Sequence, residues 1–187
     1  MPAFVLIDSM PSSSPASRPC RAQGFTLIEM IFTVVILAIL ISLAAPSFSD
    51  LVRDQRVKTA VGDVHATLIF ARSEAIKRNQ FVAVCAKNDD GSGCQNSTDW
   101  ARGWIVYLDA DGNGFPGAVS DILRSQDALA DITLTGTGTN VTYQGDGRLR
   151  PPAVPLPDPA FVASYPTITA RCVRLDLSGR PNVQVGC

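Results

Sequence analysis

The feature that most constrains this chain is an apolar stretch from Phe25 to Ala45, in which Glu29 is the only charged residue. At about 1.5 Å per residue, a helix over this stretch is roughly 30 Å long and can cross a bilayer. A carboxylate inside such a segment costs a few kcal/mol and usually has a functional partner. The stretch contains no Lys, Arg or His. We therefore expect Glu29 to pair with a cation from outside its own helix.

The residues that open this stretch, Gly24-Phe25-Thr26-Leu27-Ile28-Glu29, resemble the processing site of type IV pilins and of the pseudopilins of type II secretion. In that family a prepilin peptidase cuts after the glycine and methylates the new amino terminus. The resemblance implies a cut between Gly24 and Phe25, with Phe25 methylated. It also implies that Glu29 pairs with the terminal amine of a neighbouring subunit during assembly. Pro46 lies where the family has a helix-kinking proline.

Secretory signal peptides and plain membrane anchors also contain long apolar stretches. A secretory signal peptide has a shorter apolar core, and its cut site follows the core, whereas here the core follows the glycine. A plain membrane anchor is the remaining alternative, but it gives no reason for the motif at the start of the stretch.

The resemblance divides the chain into a leader peptide (1–24), a transmembrane or fibre-core helix half (25–45), and an amphipathic helix half with a periplasmic β domain (46–187). Arg18 and Arg21 precede the apolar stretch, so the positive-inside rule places the carboxy-terminal domain away from the cytoplasm. We expect a single-pass protein of the bacterial inner membrane that enters a pilus fibre on assembly.

The start of translation is open between Met1 and Met10, because Met10 opens a Ser- and Pro-rich stretch and would give a shorter leader.

The overall charge argues against a protein that binds nucleic acid over its whole surface, so any such binding needs a local patch. The chain has 16 Lys and Arg against 17 Asp and Glu, which is not the charge balance of a bulk nucleic-acid binder.

Cysteine usage predicts disulfides. Cys20 lies in the leader. The domain, which is expected in an oxidising compartment, contains an even number of cysteines: Cys85, Cys94, Cys172 and Cys187. Three pairings are possible, of which nearest neighbours favour Cys85–Cys94 and Cys172–Cys187. A zinc site is disfavoured because no Cys-x-x-Cys pair is present and the single histidine, His65, lies in a helical pattern.

After Pro46 the helical pattern continues to about Asn79. Apolar residues recur there at steps of three and four, which places them on one face that packs onto a sheet: Val57, Val61, Val64, Leu68, Ala71 and Ala75. Lys77 and Arg78 suit the last turn. The expected fold class is α+β, the type IV pilin fold, in which a long amino-terminal helix packs on an antiparallel β-sheet domain.

Beyond the helix, short segments with a period of two predict strands. These are 81–85, 103–108, 122–126, 132–137, 141–144, 168–177 and 183–185. The segment from Arg150 to Pro166 contains six prolines and is predicted to be an irregular surface loop.

A closer resemblance follows from the stretch 71–79, the Val-Cys strand after it, and Trp100 with Gly103-Trp104. Together these look like the FimT/FimU minor pilins and the GspH pseudopilins. The likeness extends from Gly24 to about Asp109 and weakens afterwards.

The sequence Asp109-Ala110-Asp111-Gly112-Asn113-Gly114 fits the first half of a calcium loop, with Asp109, Asp111 and Asn113 as oxygen ligands. The position that should supply a bidentate Glu is Ser120. Asx and Gly residues also build ordinary turns. We favour the turn and expect no resident metal.

Gly147-Arg148-Leu149-Arg150 matches a Gly-Arg-x-Arg motif that FimT-type pilins use to bind DNA. Two loop arginines can contact successive phosphates. The family places its motif near the carboxy terminus, where this chain has Gly179-Arg180 without a second arginine. DNA binding by Arg148, Arg150 and Arg180 is therefore a hypothesis, and solvated loop arginines are the alternative.

Trp100, Trp104 and Tyr107 lie in or next to strand patterns and are expected to pack in the core rather than form a binding surface. His65 and the Ser73-Glu74 pair belong to no Ser/His/Asp or Cys/His arrangement. We expect no enzymatic activity and no cofactor.

The sequence thus predicts a minor pilin of a type IV pilus, processed by prepilin peptidase and placed at or near the fibre tip. Its expected partners are other major and minor pilins, the peptidase and the inner membrane. Two alternatives remain: a GspH-type pseudopilin of type II protein secretion, and a DNA-binding pilin for natural transformation.

Overall fold

The computed structural model of the chain describes residues 24–150 and 160–187, without the side chains of residues 44–47. One long helix, α1 (Leu27–Arg78), opens the fold. It ends where Asn79 adopts a left-handed backbone with φ of 51°, a conformation that Asn tolerates better than most residues. Lys77 and Arg78 occupy its last turn and complement the helix dipole. The chain divides into two units, Met1–Ser42 and Leu43–Cys187.

The second unit contains two four-stranded antiparallel sheets. The first sheet has the order β3-β2-β1-β5 and the second has the order β4-β6-β7-β8. The strands are β1 (Val82–Ala86), β2 (Trp104–Leu108), β3 (Ile122–Gln126), β4 (Thr133–Gly136), β5 (Asn140–Tyr143), β6 (Phe161–Tyr165), β7 (Ile168–Leu175) and β8 (Pro181–Val185). A short 3-10 helix, Val119–Asp121, precedes β3.

The apolar stripe predicted for the second half of α1 is confirmed. All six of its residues are buried and belong to the main core: Val57, Val61, Val64, Leu68, Ala71 and Ala75. The core contains side chains from both sheets as well, such as Val84 from the first and Phe161 from the second. The stripe therefore gives both sheets an apolar surface to pack on.

Trp100, Trp104 and Tyr107 are core residues, as predicted. Trp104 donates from Nε1 to Thr67 Oγ1 on α1 at 3.0 Å, which satisfies two buried polar groups at once. Trp100 donates from Nε1 to the carbonyl of Gly138 at 3.2 Å. Tyr107 lies in a second cluster with Ala83, Cys85 and Ile105, so the first sheet has packed side chains on both faces.

The prediction of an irregular loop from Arg150 to Pro166 is wrong for Phe161–Tyr165, which forms β6. This strand lies between β4 and β7 inside the second sheet. Phe161 packs edge-on against Trp100 with ring centroids 4.7 Å apart. Pro166 lies in the turn after the strand and does not interrupt it. The many prolines of the segment therefore conceal the strand pattern of residues 161–165. Residues 151–159 lie outside the described residues.

We expect Phe161→Ala to lower the free energy of unfolding by about 3–5 kcal/mol, because it removes a large buried side chain. Val162→Ala is the control: Val162 is only partly buried, and the expected loss is about 1 kcal/mol or less. Denaturant unfolding of the full chain in detergent can be followed by the fluorescence of the buried Trp100 and Trp104. Equal losses in the two variants would contradict a central strand at this position.

Candidate assembly surfaces and loop sites

The processing motif lies directly before α1. Thr26 Oγ1 accepts a hydrogen bond from the backbone N–H of Glu29 at 3.3 Å. Glu29 Oε2 accepts a hydrogen bond from the backbone N–H of Thr26 at 3.5 Å. This is the reciprocal pattern of a capping box, although both distances are long for hydrogen bonds. Sequence reasoning treated Glu29 only as a charge in need of a cation and missed this local role, which the Thr-x-x-Glu spacing signals.

The first half of α1 exposes its apolar side chains on all sides. Every large hydrophobic residue from Phe25 to Leu43 is more than half exposed, from 51% at Val35 to 82% at Leu27. By length and hydropathy, no single helix in the described residues qualifies as a membrane span, whereas the segments Leu27–Leu43 and Phe48–Arg78 qualify as a pair. Exposed apolar area on this scale marks a surface that contacts lipid or protein.

Two disulfides join neighbouring cysteines in the sequence. Cys85 in β1 is bonded to Cys94, with Cα atoms 5.6 Å apart, and this bond closes the loop that follows β1. Cys172 in β7 is bonded to Cys187, with Cα atoms 6.1 Å apart, and this bond holds the chain after β8 against the second sheet. A disulfide typically contributes roughly 2–4 kcal/mol to the free energy of unfolding, because it restricts the unfolded chain.

The loop after β2 is organised by a buried carboxylate. Asp109 is fully buried and accepts the backbone N–H of Gly114 at 3.1 and 3.2 Å. Burial raises the pKa of Asp109, while the bond from Gly114 and the nearby Arg150 guanidinium act in the opposite direction. Tyr107 donates its hydroxyl to the carbonyl of Gly114 at 2.5 Å. The side chains of Asp109 and Tyr107 therefore stabilise the same turn at Gly114.

The other two calcium-ligand candidates also bond to their own loop. Asp111 Oδ1 accepts the N–H of Asn113 at 3.2 Å, and Asn113 Oδ1 accepts the N–H of Phe115 at 2.7 Å. These are Asx turns. Among the described residues, no group of three or more His, Cys, Asp or Glu side chains is arranged to hold a metal. The contacts favour the turn that the sequence suggested.

The three candidate DNA-binding arginines differ in availability. Arg150 donates from Nη1 to the carbonyl of Gly112, and its guanidinium lies over the ring of Phe81 at 5.3 Å. It is thus engaged by its own domain. Arg148 is exposed and lies 3.9 Å from Asp146, and Arg180 is exposed as well.

The loops that carry Arg148 and Arg180 are in contact. Gly147 and Gly179 have φ of 79° and 78°, which glycine adopts at no steric cost. A Cβ on Gly179 would come within 2.4 Å of the carbonyl oxygen of Gly147. Arg72 on α1 donates from Nε to the same carbonyl at 2.9 Å. The fold therefore brings together two Gly-Arg pairs that are far apart in the sequence.

The helix with its amino-terminal motif and the antiparallel domain define a type IV pilin-like protein. Residues 60–179 match the family described as Type II transport protein GspH, and residues 20–45 match the Prokaryotic N-terminal methylation motif. The first match covers more than half of the chain. The chain belongs to this family of FimT/FimU-type minor pilins and GspH pseudopilins, whose members are structural subunits.

Two of the similar proteins are from Pseudomonas aeruginosa and Thermus thermophilus. A Fimbrial protein from Pseudomonas aeruginosa is 28% identical over 136 residues, which are 63% of this chain and 88% of that protein. The Type IV narrow pilus major component PilA5 from Thermus thermophilus is 35% identical over 81 residues, 42% of this chain and 69% of that protein. These relatives indicate a pilin subunit that assembles with other pilins.

The crystal structure of the type IV minor pilin FimU from Pseudomonas aeruginosa shares the fold. It superposes with a TM-score of 0.51 at 21% identity and covers 75% of this chain and 92% of the FimU chain. The α+β pilin fold predicted from the sequence is confirmed.

We expect the free energy of unfolding of Asp109→Asn to increase relative to that of wild type as pH rises. Because burial raises the pKa of Asp109 above its ordinary value of 3.8, the cost of the buried charge is absent below that value. It is incurred as pH rises through the raised pKa. Urea midpoints at about pH 4 and about pH 7 measure the effect.

Asp111→Asn is the matched control for this experiment, because Asp111 is in the same loop and exposed. Its pH profile should depart from that of wild type less than the profile of Asp109→Asn does. Parallel pH profiles for wild type and Asp109→Asn would show that the buried carboxylate carries no such cost.

Proposed function

We propose that the chain is a minor subunit of a type IV pilus. In this proposal prepilin peptidase cuts after Gly24 and methylates Phe25, residues 25–45 anchor the chain in the inner membrane, and the β domain lies in the periplasm. Assembly then moves the chain into the fibre, at or near its tip. The single observation that carries the proposal is the exposed apolar half of α1, which continues into a helix half that packs in a buried core.

The apolar half of α1 needs a partner in each state of the protein. Burial of apolar area contributes roughly 25 cal/mol per Å², so side chains that are more than half exposed from Phe25 to Leu43 strongly favour transfer out of water. Lipid provides that environment before assembly, and the helices of other pilins provide it in the fibre. No chemical reaction by this chain is required.

Glu29 would make packing against the helices of other pilins specific. Its capping bonds with Thr26 are long and leave its charge without a cation, since the described part of the apolar stretch has none. A neighbour's terminal amine would supply that cation in a low-dielectric surrounding, where an unpaired carboxylate is strongly disfavoured. Glu29 would thereby fix the register of one subunit against the next.

The pilus is favoured over type II secretion by the names of the similar proteins. The matching family is named for type II transport, but the relatives from both bacteria and the FimU structure are named as fimbrial, pilus or pilin proteins. A secretion pseudopilin is the alternative, and genes for secretion components next to this one would favour it.

The contact between the two Gly-Arg loops favours a second function, DNA binding by the assembled subunit. Arg148 and Arg180 are exposed on loops that touch, so both guanidinium groups are available to phosphates on one part of the surface. Arg150 is engaged by Gly112 and Phe81 and is excluded from this version of the hypothesis. Asp146 and Asp176 on the same loops reduce the local positive charge.

We expect Glu29→Gln to reduce the amount of the chain in sheared pili by at least about tenfold, while its amount in the membrane stays normal. Gln keeps the hydrogen bonding of a capping box but removes the charge. Thr26→Ala is the matched control, because it removes the capping hydroxyl and leaves the charge, and its incorporation should stay near wild type. Immunoblots of fibre and membrane fractions provide the measurement.

The reverse result would overturn this role of Glu29. Normal incorporation of Glu29→Gln together with a loss in Thr26→Ala would show that Glu29 serves only to cap its helix.

For DNA binding, we expect the full chain in detergent to retard duplex DNA weakly, and less so as salt increases. Arg148→Ala/Arg180→Ala should abolish the shift. Arg102→Ala is the control, because Arg102 is paired with Asp89 on another loop. A shift that the double variant leaves unchanged would remove these arginines from the hypothesis.

A further inference from the structure

The outer edges of the two sheets are protected unequally. In the first sheet, β5 is covered by the following segment, since Arg150 donates its N–H to the carbonyl of Thr142 at 2.8 Å and Tyr143 bridges Leu149. The other edge strand, β3, is irregular, with a register shift against β2, and carries Arg124. Bulges, charges and covering segments are the usual means by which natural edges avoid pairing.

In the second sheet, β4 is covered in the same manner as β5. Trp100 donates its N–H to the carbonyl of Leu134 at 2.9 Å, and Gly136 donates to the carbonyl of Thr98 at 2.9 Å. The remaining edge strand is β8. Within the described residues, β7 is the only segment paired with β8.

The register of β8 shows which of its backbone groups face outward. Gly186 donates its N–H to the carbonyl of Ala170 at 2.9 Å, in the same register as Gln184 with Cys172. Hydrogen-bonded and non-hydrogen-bonded pairs alternate in an antiparallel ladder. The N–H and carbonyl of Val183 and of Val185, and the carbonyl of Pro181, therefore point away from β7.

The side chains on this edge protect it only at its first position. β8 contains no charged residue, and Val183 and Val185 are 41% and 62% exposed. Pro181 lies at its first position, where it removes one donor but leaves the two valine donors in place. An uncharged strand with exposed valines is the type of edge that pairs with another strand.

We propose that β8 is a self-pairing edge, through which two copies of this chain join their second sheets by an antiparallel β8–β8 contact. An edge of alternating N–H and carbonyl dipoles is complementary in partial charge to a second copy of itself related by a two-fold axis. Centring the axis on Val183 makes the two Val183 residues a hydrogen-bonded pair and places Val185 opposite Pro181 of the second copy.

This register is also free of like-charge contacts. The two Arg180 residues lie at opposite ends of the paired strands, roughly 20 Å apart at about 3.4 Å per residue. The pairing gives four backbone hydrogen bonds: two between the Val183 residues, and one from each Val185 N–H to a Pro181 carbonyl. The contact goes beyond the proposed pilus role and does not depend on it.

Cysteine cross-linking of the full chain in membranes tests this register. Val183→Cys lies opposite itself, with Cα atoms about 5.5 Å apart in a hydrogen-bonded pair, a distance that a disulfide spans. Val185→Cys is the control, because the two copies of residue 185 would be more than about 13 Å apart. After mild oxidation we expect at least about tenfold more covalent dimer from Val183→Cys than from Val185→Cys or wild type.

Equal dimer from both cysteine variants, or none from Val183→Cys, would overturn the proposal. If Val183→Cys does not accumulate, light scattering of the wild-type chain in detergent measures its mass and so tests whether it is a dimer. Wild type should be dimeric and Val183→Pro monomeric, since proline removes an outward N–H that the ladder to β7 does not use. A monomeric wild type, or a dimer that persists in Val183→Pro, would contradict self-pairing.

Discussion

The structure depends on one constraint: a single helix must satisfy two different surroundings along its length. From Phe25 to Leu43 its apolar residues are exposed on every side, so nothing within the described chain fixes which direction they face. From Val57 to Ala75 the apolar residues form one stripe, which fixes the orientation of that half against both sheets. Apolar residues thus change from covering every side of the helix to covering one side, and this change separates its exposed part from the part that packs on the sheets.

The β domain covers the apolar stripe on the second half of the helix, and polar contacts also join the two. The hydrogen bond from Trp104 satisfies the buried hydroxyl group of Thr67 on α1, and Arg72 joins the helix to the loop of Gly147. Disulfides then hold the loop after β1 and the chain after β8. In the proposed function, these bonds would hold the domain in one structure while the amino-terminal half moves from lipid to the fibre.

Much of this could be predicted from the sequence because it rests on periodicity. The stripe, seven of the eight strands and the motif from Gly24 to Glu29 are all local patterns. The strand Phe161–Tyr165 escapes prediction because prolines on both sides suggest a loop, although only the residues between them decide whether a strand can pair. The capping contact of Thr26 with Glu29 has a signal in its spacing, which the charge of Glu29 obscures. The contact between Gly147 and Gly179 depends on tertiary packing and has no local signal.

In the fibre that we propose, other pilins cover the exposed apolar half of α1. Site-specific photo-cross-linking from position 36, where Ile36 is 56% exposed, tests it most directly. In sheared fibres we expect a covalent adduct between this chain and another pilin subunit, formed within the membrane-length part of the helix. A chain that is present in fibres but yields no protein adduct from this position, or that never leaves the membrane fraction, would contradict it.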